Sequence, residues 1–356
     1  MIRSSRCHAV VALALGAAVL LPQVSMSAPQ TVAEIAGYQG ADRQAVLEAG
    51  ARKEGSVLIY TVGTQTDSMF KRFGEIYPFI RVEVFRGDNT ELVRRAQEEY
   101  RAGRYTVDAF ETNTAGLRLL KESNGLLPFH TPEMEKTRKD AIEPGRYWVN
   151  DYGSFLNFAY NTKLAPEAAG VTTYDDLLDP KFKGKMTISG WVSTTAYWVG
   201  AMVLTKGEDF VRRLGQQNFV VYEVSPRAIA SLIVSGESPI SPAIYSSHVN
   251  NDRAKGAPVA WKPLGAVYGQ TGAVAVAAKA PHPHAAMLLI DVMLSKDGQV
   301  MRQELGYVTA RTDLVNEGEQ PKEVIYMADR PNFLQEFETW SALTARAFGK
   351  GKAPPK

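Results

Sequence analysis

Between Asp42 and Phe110 the chain alternates two kinds of apolar period, and that alternation narrows its possible folds more than any other feature. Apolar positions at helical spacing predict a helix over Asp42 to Lys53, which Gly55 breaks. Ser56 to Tyr60 (SVLIY) is an unbroken apolar run of the kind a buried strand needs. Met69, Phe70, Phe73 and Ile76 mark a helix over Thr66 to Ile76, closed by Tyr77-Pro78. Arg81 to Phe85 alternates like a strand. Thr90 to Ala102 carries Leu92, Val93 and Ala96 as an inner stripe and ends at Gly103, and Val107 to Phe110 is again strand-like. Repeated strand–helix–strand units favour a parallel sheet with right-handed crossovers.

The same logic continues downstream. Tyr160 to Met186 reads as a strand end, a polar turn at Asn161-Thr162, and a short helix starting at Thr172 or Thr173 with Asp175 and Asp176 in its positive first turn. Asp179-Pro180 stops that helix, and Lys185 to Ile188 begins a new strand. Tyr147 to Tyr160 and Val267 to Ala277 are long extended stretches, predicted to be two crossings between lobes. Between them lie helices at Ser193 to Leu204, Glu208 to Leu214, Pro226 to Val234 and Ser247 to Lys255, with a strand at Ile240 to Tyr245. Helices over His284 to Leu294, Gln299 to Glu304 and Glu319 to Phe348 follow. The expected architecture is an α/β clamshell, each lobe a mostly parallel sheet flanked by helices. Its segments are a leader at 1–27, the first lobe at 28–153, the second at 154–266, a return into the first at 267–318, and helices with a basic tail at 319–356.

At the start, Arg3 and Arg6 precede the apolar run Ala9 to Leu21, and small residues at Ser25, Ser27 and Ala28 suit cleavage, the pattern of a secretory signal peptide. The run is shorter than the roughly 20 residues a membrane span needs. Cys7, the only cysteine, precedes it, so the processed chain is expected to lack disulfides and a thiol nucleophile. Without Arg3 and Arg6 the 40 Lys and Arg fall to 38, matching the 38 Asp and Glu. A neutral chain with no block of like charge is a poor partner for nucleic acid. The remaining length suits two cores of about 150 residues each.

Three segments carry a resemblance: YNTKLAPEAAGVTTYDDLLDPKFKGKM, YPFIRVEVFRG with ELVRRAQEEYRAGRYTVDAFETN, and AAMLLIDVMLSKDGQ. They resemble the extracellular solute-binding proteins of ABC importers, in the ferric-iron-binding-like branch. The resemblance implies a type II periplasmic-binding-protein fold, a periplasmic monomer without a cofactor, and delivery of a solute to a permease with its ATPase. Aligning the branch's basic-Gly ending on Arg253 to Gly256 places Ser246 and Ser247 where ferric-binding members carry adjacent tyrosines. Tyr245, one residue earlier, points the other way in a strand. The resemblance also implies a histidine near Thr61 to Gln65, where none stands.

Ligand contacts are expected in loops after parallel strands. These are Thr61, Thr64 and Gln65; Arg86 and Asn89; Thr112, Asn113 and Thr114; and Gly190, Ser193, Thr194 and Thr195 before a helix. That helix start is either an anion site or a simple cap. Arg86 is a bidentate anion partner or a solvated arginine. Tyr152, Trp191, Tyr245 and Tyr268 are walls for an organic ligand or core aromatics. Ser246 joins the set by its aligned position, and Arg227 is a cleft or surface residue. His282 and His284 fit a turn better than a metal site. No GxSxG, HExxH or phosphate loop is present. The expected cargo is a small anionic or zwitterionic organic solute. The alternatives are ferric iron or a ferric chelate held by Tyr245 with Tyr268 or Tyr152, an exported enzyme, or a sensor subunit.

Overall fold

The computed structural model describes residues 29–63, 66–316, 321–327, 330 and 332–349, without the side chains of 192, 193, 333 and 334. In chain order the first part holds α1 (Val32–Ala36), α2 (Arg43–Glu54), β1 (Ser56–Thr61), α3 (Asp67–Ile76), β2 (Arg81–Arg86), α4 (Asn89–Arg101), β3 (Ala109–Asn113), α5 (Thr114–Glu122) and β4 (Leu126–Leu127). Gly55, at φ +70°, ends α2 in the left-handed region, which glycine adopts without strain, and turns the chain into β1. β1 pairs in parallel with both β2 and β3.

The first crossing, β5 (Val149–Asn161), leads to β6 (Thr187–Ser189), α6 (Val192–Lys206), α7 (Glu208–Gly215), β7 (Val220–Tyr222), α8 (Pro226–Ser235), β8 (Ile240–Tyr245), α9 (Ser246–Ala254) and β9 (Val259–Lys262). The return crossing is β10 (Val267–Ala277), followed by α10 (Pro283–Leu294), α11 (Lys296–Glu304), β11 (Val324–Ile325) and α12 (Phe333–Phe348).

The lobes are not separate sheets. Among the described residues the strand path runs β2-β1-β3-β10-β5-β8, because β10 lies antiparallel to both β3 and β5. β6 and β7 pair in parallel, and a parallel bridge from Met186 to Ile240 ties them to β8. Parallel strands thus flank a central antiparallel pair, the two crossings. Asp151 is an extra residue in β5, since Gly272 faces Tyr152 while Ala273 faces Asn150. Such a bulge bends its strand and breaks the ladder locally.

Two cores sandwich the first lobe's sheet. On one face Val57, Ile59, Val274 and Val276 meet Leu47, Phe73 and α10, ten of whose twelve residues are buried. On the other, Tyr60, Phe110 and Ala275 meet Leu92, Leu117 and Leu120. In the second lobe Leu156, Phe158 and Tyr268 pack on Trp198 and Met202 of α6, and Trp340 and Leu343 of α12 cover them. Each such fully buried side chain contributes about 1.5–3 kcal/mol.

The short helix expected at Thr172 or Thr173 is a 3-10 helix, Tyr174–Leu178, with Thr173 at its N-cap and Asp175 and Asp176 in its first turn, and two other expectations change. The Asp176 carboxylate folds back onto the amides of Thr172 and Thr173 (2.8 and 2.9 Å), and Asp179-Pro180 leaves no room for a second turn. The strand expected from Lys185 covers only Thr187–Ser189. Among the described residues of the helix expected over Glu319 to Phe348, Phe333–Phe348 is helical, while Val324 and Ile325 pair with Val267 and Tyr268 as strand. No described helix is long and apolar enough to cross a membrane.

Candidate ligand-binding site

The ends of β1, β2 and β3 from one lobe, and of β6, β7 and β8 from the other, flank the crossing pair. On the first-lobe side the polar groups are bound to one another. The buried Thr61 hydroxyl donates to Glu111 Oε2 (2.5 Å) and accepts from the Gly63 amide (2.8 Å). Arg86 holds the turn from the other side, donating to the Gly63 carbonyl (2.7 Å), the Thr66 hydroxyl (3.1 Å) and Asp67 Oδ1 (2.8 Å). Arg86 is therefore a clamp on the β1–α3 loop through Nε and Nη2. Thr112 donates to Asn89 Oδ1 (2.8 Å). Asn113 caps α5 by accepting from the Gly116 amide (2.9 Å), so Thr114 opens a helix rather than extending the loop. Thr64 and Gln65 lie outside the described residues.

The floor is aromatic and ionic. Tyr152 packs against Tyr307 (centroids 4.6 Å apart), with the Arg302 guanidinium 4.8 Å from the Tyr152 ring centroid. Burial, and the nearby Glu111 carboxylate, hold the Tyr152 phenol well above the usual tyrosine range.

On the second-lobe side, Trp191, 53% exposed, stands at the N-cap of α6, and its side chain makes no cap bond. By contrast α4, α5 and α8 are capped by Asp88, Asn113 and Ser225. Gly190 is needed in front of α6, since a Cβ there would stand 2.6 Å from the Glu223 carboxylate. Thr195 is buried and donates to the Ser189 carbonyl (2.7 Å), a scaffold bond. Thr194 is buried close to Tyr245, and its hydroxyl partly offsets the upward push that burial gives the Tyr245 phenol. Ser193's side chain lies outside the described set. Tyr197, one helical turn beyond Thr194, stacks on Tyr268 and touches Phe337 (5.2 Å between centroids). Burial raises the phenols of Tyr197, Tyr245 and Tyr268.

Ser246 accepts from the Phe155 amide (3.0 Å), while Ser154 and Ser247 share a hydroxyl bond (2.8 Å). Both serines thus fasten α9 to the first crossing. Arg227 pairs with both oxygens of Asp252 (2.7 Å). His282 and His284 serve different carboxylates, Asp108 (3.0 Å) and Glu54 (2.6 Å), at the start of α10. Among the described residues no three His, Cys, Asp or Glu side chains form a metal-holding group.

Tyr197, Glu111, Arg302 and Tyr307 were absent from the sequence-level set. Tyr197 had a signal, since it falls three residues after Thr194 on the same helix face. The Arg302–Glu111 contact joins positions far apart in the chain and left none.

A family model described as bacterial extracellular solute-binding protein matches residues 118–326. No curated protein matches the chain by sequence. Among solved structures, the Trichodesmium IdiA (FutA) protein in complex with iron and citrate is 17% identical, with a TM-score of 0.64 over 83% of this chain and 100% of that one. Iron-bound HitA from Pseudomonas aeruginosa is 18% identical, with a TM-score of 0.64 over 82% and 99%. AfuA from Actinobacillus pleuropneumoniae, with exogenous fructose-6-phosphate bound, is 18% identical, with a TM-score of 0.58 over 83% and 97%. At these identities the likeness concerns the fold, which is the two-lobed periplasmic-binding-protein clamshell.

Proposed function

Because the chain belongs to the bacterial extracellular solute-binding protein family, which binds solutes rather than transforming them, we propose that its cargo is a small anionic or zwitterionic organic solute. Phosphonates and carboxylates are the classes meant. It is the periplasmic substrate-binding component of an ABC importer, closing its lobes on the solute and presenting the closed form to the permease. The lobes exchange at the two crossings, near residues 153 and 267.

The observation that carries the choice of cargo is the amino end of α6, where Trp191 makes no side-chain cap bond and the Thr194 hydroxyl and Tyr245 phenol lie close together. Helix amino ends present amide donors and a partial positive charge, which suits an anionic group. Tyr197 and Tyr268 offer flat walls for the organic part. A solute drives closure only through contacts it makes better in the closed form.

A thermal-shift screen of phosphonates, organic acids, amines and ferric citrate tests this, since a ligand of the folded state raises Tm by mass action. Thr194→Ala is expected to weaken the selected anion about tenfold, or about 1.4 kcal/mol, with the fold intact. Thr195→Ala is not a clean test, because its hydroxyl holds the Ser189 carbonyl. Unchanged affinity in Thr194→Ala sinks the anion site at α6.

A ferric cargo is the second reading, favoured by the grouping of Tyr197, Tyr245 and Tyr268, since phenolates are hard donors suited to Fe(III). A visible tyrosinate-to-iron absorption band, with ferric salts alone shifting the melt, would replace the organic reading by this one.

A further inference from the structure

Three ionisable side chains from separate elements meet in the buried space between α11, β3 and β5. Arg302 of α11 is 2% exposed and uses a single nitrogen, Nη2, to reach Glu111 Oε1 of β3 and Asp151 Oδ2 of β5 (2.5 Å to Asp151). Both carboxylates are fully buried. The chain of bonds continues from Glu111 Oε2 to the Thr61 hydroxyl and from there to the Gly63 amide. One unbroken path thus runs from the bulge residue of the first crossing, through α11 and β3, to the turn at the end of β1.

We propose that Arg302 is a positioning residue for solute capture, fastening the Thr61–Gly63 turn to the first crossing so that displacement of one is felt by the other.

The energetics favour a positional role over simple stabilisation. Two buried carboxylates share one guanidinium, and Asp151 Oδ1 and Arg302 Nε find no protein partner. Desolvating such a cluster costs as much as its attraction returns, and apolar side chains of similar volume would stabilise the fold at least as well. What an apolar cluster lacks is direction: each hydrogen bond here admits one arrangement of its partners. The location matches. Asp151 stands at the bulge, where a strand bends most easily. Gly63 lies in the loop that Arg86 clamps from its other side. This inference rests on reading that turn as part of the cleft, but its test uses no solute, so its failure and that of the cargo proposal are separable.

The test is amide hydrogen exchange on the solute-free protein, read at Gly63. Thr61→Val cuts the path at its last bond and is expected to lower Gly63 protection about tenfold, while Thr61→Ser keeps it. Asp151→Asn acts at the far end and removes no group bonded to the turn. It is expected to lower Gly63 protection at least threefold, with protection in α2 and α10 unchanged. Gly63 protection unaltered by Asp151→Asn overturns the proposal, as does equal protection in Thr61→Val and Thr61→Ser. Should Asp151→Asn not fold, Arg302→Met, which likewise removes no group bonded to the turn, takes its place with the same two outcomes.

Discussion

The ring of Tyr197 lies nearly parallel to that of Tyr268, with centroids 4.6 Å apart and planes 13° from coincident. The first belongs to α6 and the second to the return crossing, so the stack joins a second-lobe helix to the strand pair that links the lobes. Tyr268→Leu is expected to cost about 0.5–1.5 kcal/mol of stability from the lost ring pair. It should also weaken the selected solute about tenfold. Denaturant unfolding and calorimetric titration measure the two effects separately, and loss of stability with unchanged affinity would reduce Tyr268 to a packing residue.

Tyr174 lies in the 3-10 turn and does its work at the crossings. Its buried hydroxyl donates to the Ala266 carbonyl (2.9 Å) and accepts from Asn157 Nδ2 (2.6 Å). Asn157 Oδ1 in turn accepts from the Phe158 and Leu264 amides (2.8 and 3.3 Å). Tyr174→Phe strands a buried donor and a buried acceptor, at an expected cost of about 1–3 kcal/mol. Urea unfolding should show this loss with the solute dissociation constant unchanged.

Buried Asp151 and half-buried His248 tilt stability with pH in opposite directions. Burial, and then the Glu111 carboxylate, push Asp151 up to about 7 from 3.8. The folded form then holds a proton the unfolded chain has released, so this contribution is full below pH 3.8 and lost as pH rises through 7. Burial, and then Arg227, lower His248 to about 4 from 6.5. Its contribution is full above pH 6.5 and lost as pH falls towards 4. In melting series from pH 4 to 8, Asp151→Asn should gain on the parent protein as pH rises, and His248→Gln as pH falls. A pH-independent gap for either variant would contradict its assignment.

Gly272 has no room for a side chain. A Cβ there would stand 2.0 Å from Tyr152 Cε1. Gly272→Ala must turn the Tyr152 ring off the floor, at an expected cost of about 1–3 kcal/mol for the overpacking. A changed near-ultraviolet circular dichroism spectrum with an intact far-ultraviolet one is the predicted signature.

The parts of the fold legible in the sequence were those with long, regular periods. Met69, Phe70 and Phe73 announced α3, and both crossings could be read from their extended runs. β7 (Val220–Tyr222) and β9 (Val259–Lys262) were missed because three or four residues carry too little period to separate strand from loop. α5 was missed because its start, Thr114, sits in a polar cluster that reads as loop until Asn113 is seen to cap it. For the site, residue type alone identified donors but not their commitments. Thr61, Arg86, Thr195 and Ser246 are each bound to groups that no local pattern reveals, Glu111, Asp67, Ser189 and Phe155.

The place of β10 between β3 and β5 also governs the order in which the chain can become a protein. A nascent chain that has not yet reached Val267 has every other strand on that path, but β3 and β5 then face each other across a gap, with unpaired edges open to any passing strand. It also lacks α10, which fills the first lobe's core. Neither half can close before synthesis enters the last quarter of the sequence.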